Sequence, residues 1–212
     1  MPAPQIKICG VTNAAALDAA VAGRADYVGL NFHPPSPRFL TPDAASRLAA
    51  RNAGAIRRVG VFVDADDAAI AAAVAAGRLD AIQLHGNETP QRAAEVSNRF
   101  GLPVWKVLAI ASPADVRRAE AYADAADFLL FDAKTPAGAL PGGMGLAFDW
   151  RLVAAYRGRL PWGLAGGLSP ANVAQAVRIT GAPLVDTASG VESAPGVKDP
   201  ARIAAFCAAA RA

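Results

Sequence analysis

Eight short apolar runs, separated by stretches of similar length, constrain this chain more than any other feature. β-Branched and aromatic residues gather at 6–9, 27–31, 58–63, 81–84, 104–108, 128–132, 162–165 and 184–186. Short runs bounded by glycine, proline or aspartate read as buried strands. Their starts lie roughly 20 to 35 residues apart, the length of one strand and one crossover helix. The helix starts are marked as regularly. Thr41-Pro42, Thr89-Pro90, Ser112-Pro113, Ser169-Pro170 and Asp199-Pro200 each set an N-cap side chain before a proline. The cap accepts a free helix N–H, and proline occupies the first helical position, where no N–H is needed. Thr12, Asp64 and Asp149 are the caps predicted for the other three helices. Alanine-rich stretches follow, with apolar residues three and four apart, as at Val173, Ala176 and Val177. Strand and helix alternating eight times predict an α/β single-domain (β/α)8 TIM barrel with parallel strands, covering residues 1–212. An open doubly wound sheet is the weaker alternative, because no glycine fingerprint follows the first strand.

Composition limits the partners. The chain is 53% hydrophobic and 18% charged, which suits a packed core rather than disorder. Its net charge of +3 is scattered over single or paired arginines such as Arg57-Arg58 and Arg117-Arg118. That pattern excludes a nucleic-acid surface and is compatible with a small anionic substrate. Two cysteines, Cys9 and Cys207, make no disulfide framework. Residues 1–4 lack the apolar core of a signal peptide, and the most apolar window, 68–76, is far short of the ~20 residues of a membrane span. A cytoplasmic protein with no membrane segment is the expectation. Monomer and homodimer both stay open.

Polar groups collect where chemistry would be placed on a barrel. In the first strand Lys7 and Cys9 share one face, opposite Ile6 and Ile8. A neighbouring cation lowers a thiol pKa, so Cys9 reads as a thiolate at the mouth of the sheet; its alternative is a small buried apolar residue. Cys207, in an alanine-rich terminal helix, takes that second reading. Gln83, His85, Lys106, Asp132 and Asp186 are predicted to face inward near strand ends. Asp132 closes the run Phe128-Leu129-Leu130-Phe131, where desolvation would keep a carboxyl protonated as a general acid; a salt bridge to Lys106 or Lys134 would do the reverse. His85 and His33 show no metal-ligand spacing, so no metal is predicted. Two connections after strands are long, His33 to Arg38 and 133–146, and loops after strands form the catalytic face. Ala165-Gly166-Gly167-Leu168-Ser169-Pro170 and Thr187-Ala188-Ser189-Gly190 follow the last two strands, the usual phosphate grip of a barrel. Arg38 ends the second loop and could clamp a carboxylate with two parallel bonds.

Together these segments resemble the phosphoribosylanthranilate isomerases of tryptophan biosynthesis. The resemblance runs nearly end to end: Lys7-Ile8-Cys9-Gly10, Ser36-Pro37-Arg38, Gln83-Leu84-His85-Gly86, Asp132, the Gly143/Gly145 loop ending Phe148-Asp149-Trp150, Leu164 to Leu168 with Asn172-Val173, and Asp186 to Glu192 with Pro195-Gly196-Lys198-Asp199. It implies a cofactor-free Amadori rearrangement of N-(5'-phosphoribosyl)anthranilate, a phosphorylated sugar–anthranilate. By resemblance Cys9 is the general base and Asp132 the general acid. Arg38 holds the anthranilate carboxylate, and Lys7, Gln83, His85 and Asp186 contact the substrate. Gly143, Gly145, Gly166, Gly167, Ser189 and Gly190 hold its phosphate. One departure stands out: Thr187-Ala188 occupies the place where Ser-Ser-Gly is expected to begin, which touches phosphate geometry. Related sugar-phosphate isomerase barrels and a non-catalytic phosphate-binding barrel are the competing readings.

Overall fold

The computed structural model describes residues 3–51, 54–134 and 148–212. Strands β1 (Gln5–Cys9), β2 (Tyr27–Asn31), β3 (Arg57–Phe62), β4 (Ala81–Leu84), β5 (Val104–Ile110), β6 (Phe128–Ala133), β7 (Trp162–Leu164) and β8 (Leu184–Thr187) close into a barrel in chain order. Every neighbouring pair is parallel, and β8 returns to β1 with Lys7 opposite Asp186. Helices α1 (Ala14–Ala22), α2 (Pro42–Arg51), α3 (Asp67–Gly77), α4 (Pro90–Phe100), α5 (Pro113–Arg117), α6 (Arg151–Ala154), α7 (Val173–Thr180) and α8 (Pro200–Ala210) fill the connections and the C-terminus. The (β/α)8 TIM barrel read from the sequence is therefore the fold. A small antiparallel hairpin, β9 (Glu192–Ala194) and β10 (Val197–Lys198), was not foreseen.

The helix signals held with local shifts. Thr41, Thr89, Ser112 and Asp199 each accept a first-turn N–H, worth about 1 kcal/mol apiece. Asp149 accepts from Arg151 at the start of α6. Thr12, Asp64 and Asp149 are not the caps expected of them: Asn13 and Asp66 cap α1 and α3, and α6 starts from Trp150 with no side-chain cap. Asp64 cannot serve, because its carboxylate takes the Asn87 N–H at 2.7 Å. Ser169-Pro170 forms a turn, held by Asn172 Oδ1 accepting the Ser169 N–H, and α7 begins only at Val173.

Strand alternation divides the apolar side chains into two layers. Ile6, Ile8, Val28, Leu30, Ile82, Leu84, Leu108 and Phe131 face the helices. Tyr27, Val59, Ala81, Trp105, Val107, Leu130, Ala165 and Leu184 fill the lumen. Trp105 is central there, with ring centroids 5.0 Å from Tyr27 and 4.5 Å from Phe128. Tyr27, Ala81, Phe128 and Leu184 begin their strands, so the apolar plug occupies the N-terminal end and leaves the C-terminal end for polar groups. Three aspartates lock that lower end. Asp26, Asp80 and Asp127 each accept the N–H of Ile6, Arg58 and Val104 through the carboxylate, at 2.7–2.8 Å. Each also donates its own N–H to the same residue's carbonyl at 2.8 Å. The arrangement ties β1 to β2, β3 to β4 and β5 to β6.

Candidate active site

The inner rim at the strand C-termini carries a run of polar groups along neighbouring strands. Asp132 stands on β6, Gly166 and Gly167 follow β7, and Asp186, Ser189 and Gly190 belong to β8 and its loop. Lys7 and Cys9 stand on β1, and Arg38 lies in the connection after β2. From β4, Gln83 and His85 reach the same space.

Lys7 has no exposed surface and donates to Asp186 Oδ1 at 2.9 Å. Burial works against its charge, but Asp186 and Cys9 outweigh burial and hold the ammonium above the ordinary lysine range. Cys9 ends β1 at 8% exposure, beside Gly29 of β2, where a Cβ would approach its Sγ to 2.8 Å. Burial pushes the thiol pKa up, and the opposing pull of Lys7 and Lys198 does not cancel it. The sequence had placed the Lys7 effect first. Lys7 does act in the expected direction, but its charge is already shared with Asp186, and the dry setting of the thiol dominates.

Asp132 is fixed at both oxygens. Oδ1 accepts the Ala133 N–H at 2.8 Å, and Oδ2 lies 3.3 Å from His85 Nε2. Gln83 Nε2 is 3.2 Å from His85 Nδ1; an amide donating there sets the tautomer that presents Nε2–H to Asp132. Gln83 is wholly buried, and its Oε1 has no hydrogen-bond partner among the described residues. Lys106 departs from expectation. It pairs in register with Leu84 while Trp105 pairs with Gln83, so it faces the helices rather than the lumen. There it donates to Glu88 at 2.7 Å and to the Gly86 carbonyl at 2.8 Å. Glu88 in turn accepts from the Asp64 and Gly86 N–H groups, which braces the segment carrying His85. Asp132 thus pairs with His85, and Lys106 is engaged elsewhere.

The loops after β7 and β8 are bound to each other. Thr187 Oγ1 donates to the Leu168 carbonyl at 2.7 Å, and a Cβ on Gly190 would lie 1.9 Å from that same oxygen. Glycine is required at 190 by this contact. The threonine that departs from the expected motif therefore has a job: it ties the two loops together. Gly166 and Gly167 both have positive φ, 83° and 65°.

Arg38 is buried rather than lying at a loop tip. Its Nε and Nη2 donate to Glu192 Oε1 and Oε2, each at 2.7 Å, and Lys198 joins Oε1 at 2.5 Å. The two cations outweigh burial and hold the Glu192 carboxyl below its ordinary range.

A family model described as N-(5'phosphoribosyl)anthranilate (PRA) isomerase matches residues 6–209. The chain belongs to the N-(5'-phosphoribosyl)anthranilate isomerase family. The enzyme of that name from Paracoccus denitrificans is 56% identical over 211 residues, covering 99% of this chain and 98% of its own. The phosphoribosylanthranilate isomerase crystal structure from Thermotoga maritima superposes with a TM-score of 0.88 at 35% identity, covering 98% of each chain. Another isomerase structure, in complex with reduced 1-(o-carboxyphenylamino)-1-deoxyribulose 5-phosphate, gives a TM-score of 0.85 at 33% identity and the same coverage.

In this chain the described residues bring Lys7, Cys9, Gln83, His85, Asp132, Gly166, Gly167, Asp186, Ser189 and Gly190 to one rim. Gly143 and Gly145 lie outside the described residues. Cys207 is buried in α8, with its Sγ 3.0 Å from where a Cβ on Gly23 would stand, and takes no part in the rim. The sequence reading missed the roles of Glu192 and Lys198. Their signal was present as two charged residues in a segment already singled out, but Arg38, the partner of Glu192, lies 154 residues away.

Proposed function

We propose that Cys9 and Asp132 carry the chemistry of this family in this chain. The protein is an isomerase of tryptophan biosynthesis, converting N-(5'-phosphoribosyl)anthranilate to 1-(2-carboxyphenylamino)-1-deoxy-D-ribulose 5-phosphate. The observation supporting these roles is one arc of the barrel rim: an acid on β6, a thiol on β1, and the two glycine-bearing loops between them. Asp132 protonates the furanose ring oxygen, the bond from that oxygen to C1 breaks, and the anthranilate nitrogen lone pair forms the C1 iminium. Cys9, as thiolate, takes the C2 proton, and the released electron pair forms the C1–C2 double bond of an enolamine. Loss of the enol proton and protonation at C1 give the ketone. No electrons enter or leave, so the step needs no redox partner. Acid and base must hold opposite protonation states at one pH; burial opposes ionisation of Cys9, and Lys7 and Lys198 are the neighbours that favour its thiolate.

His85 orients Asp132 and is the neighbour able to exchange its proton. The unpartnered Gln83 Oε1 is an acceptor suited to a sugar hydroxyl. The phosphate sits between the loops after β7 and β8. Arg38 attracts the anthranilate carboxylate. The cytoplasm suits two free cysteines, and no helix among the described residues is long and apolar enough to cross a membrane. Turnover of freshly generated substrate, followed by loss of anthranilate fluorescence, tests the reading. Activity is expected in wild type and in Cys207→Ser; loss in Cys207→Ser would show that the wrong thiol was chosen.

A further inference from the structure

Glu192 and Lys198 stand outside the acid–base pair, yet both are buried, at 6% and 5% exposure, and the Lys198 charge acts on Cys9. Arg38 is gripped along one edge of its guanidinium by both oxygens of Glu192. A two-pronged contact of this kind fixes the plane of the group as well as its place. The arm of Arg38 is confined too, because a Cβ on Gly10 would stand 2.4 Å from its Cδ, and Gly10 has a φ of 75°. Charge favours a working arrangement. A single carboxylate paired with a lone arginine would cancel the attraction that an anionic substrate needs. Here Lys198 shares the Glu192 oxygen, so the three side chains together keep one positive charge. Connectivity points the same way. Lys198 also donates to the Ala188 carbonyl at 2.9 Å, immediately before Ser189 and Gly190. The hairpin turn presses on the second loop, where a Cβ on Gly196 would lie 2.4 Å from the Pro37 carbonyl oxygen.

We infer that Glu192, with Lys198 as its counter-cation, is a positioning residue that sets the plane of Arg38 for the substrate carboxylate. The inference rests on the reading of Arg38 as the carboxylate clamp. Two probes separate the two claims: reduced 1-(o-carboxyphenylamino)-1-deoxyribulose 5-phosphate, and its phenylamino counterpart without the carboxylate. Glu192→Gln keeps the shape of the side chain but leaves Arg38 and Lys198 without the anion between them. Calorimetric titration is expected to show the carboxylated probe bound about tenfold or more weakly, the scale of one misplaced charge-assisted hydrogen bond. The other probe should stay within about twofold of wild type, as for a change that spares its contacts. In turnover the same variant raises KM and changes kcat little. Equal weakening of both probes would overturn the inference, since Glu192 would then serve only the fold. Glu192→Asp, charged but shorter, is expected to lose part of the affinity for the carboxylated probe alone, and it carries the comparison should the glutamine variant not fold. In an Arg38→Ala background Glu192→Gln should add nothing, and an additive loss would also overturn the proposal. Wild-type protein binding both probes equally would refute the Arg38 clamp itself, before any Glu192 variant is made.

Discussion

Replacing Lys7 by methionine tests the electrostatic core of the site. Methionine preserves most of the length of the side chain and removes a charge from a position with no solvent contact. Asp186, 7% exposed, then loses a partner at 2.9 Å. Breaking a buried ion pair by removing one member destabilises by about 3–5 kcal/mol. The lower end applies here, because a stranded carboxyl can take up a proton instead of staying charged. A loss of about 3 kcal/mol in a domain of this size lowers Tm by roughly 6–12 °C. The pH dependence follows from the raised Lys7 pKa. Stability from that group is fully present below the ordinary lysine value and is lost as pH rises through the higher folded value. The wild-type advantage should therefore persist through neutral and mildly alkaline pH. Calorimetric scans at several pH values measure it, and a Tm within about 2 °C of wild type at neutral pH would refute the reasoning. The same variant deprives Cys9 of a cation, so its alkylation profile should move to higher pH; coincident profiles would show that Lys7 does not act on the thiol.

Three further outcomes follow from individual contacts. Because burial raises the Cys9 pKa, its alkylation rate should keep rising with pH beyond the ordinary thiol range, and a plateau below it would contradict the environment described. Arg38→Ala should chiefly raise KM; a large fall in kcat at unchanged KM would contradict its role in binding. Asp127→Ala removes the carboxylate that holds the Val104 N–H at 2.7 Å, and urea denaturation should show a loss of about 1–3 kcal/mol with kinetic constants unchanged. No loss would show that the lower-rim bonds are replaced by water.

What the sequence disclosed was mostly local. Strand runs and cap–proline pairs are written in consecutive residues, so eight strands and most helix starts could be placed. The inward set at Lys7, Cys9, Gln83 and Asp132 followed from alternation within each strand. Lys106 was misplaced because alternation fixes which residues share a face, but not which face meets the lumen. Trp105 and Val107 claim the inside of β5, and Lys106 is left to Glu88. The caps slipped where a side chain had a competing partner from elsewhere in the chain, as Asp64 has in Asn87. Arg38 met the same limit, since its position depends on a glutamate from the far end of the chain. The balance between burial and a neighbouring charge at Cys9 was also hidden, because it depends on how completely the barrel excludes water and on Asp186 sharing the lysine.

The central claim is that one thiol and one carboxyl divide the proton transfers, and steady-state kinetics of Cys9→Ser and Asp132→Asn beside wild type test it most directly. A group that acts on the transition state is expected to lower kcat by orders of magnitude with little change in KM. Loss of roughly a hundredfold or more in kcat for both variants, with the reduced product analogue still bound, is the predicted result. Near-normal turnover in either variant would contradict the account and return that residue to a structural role.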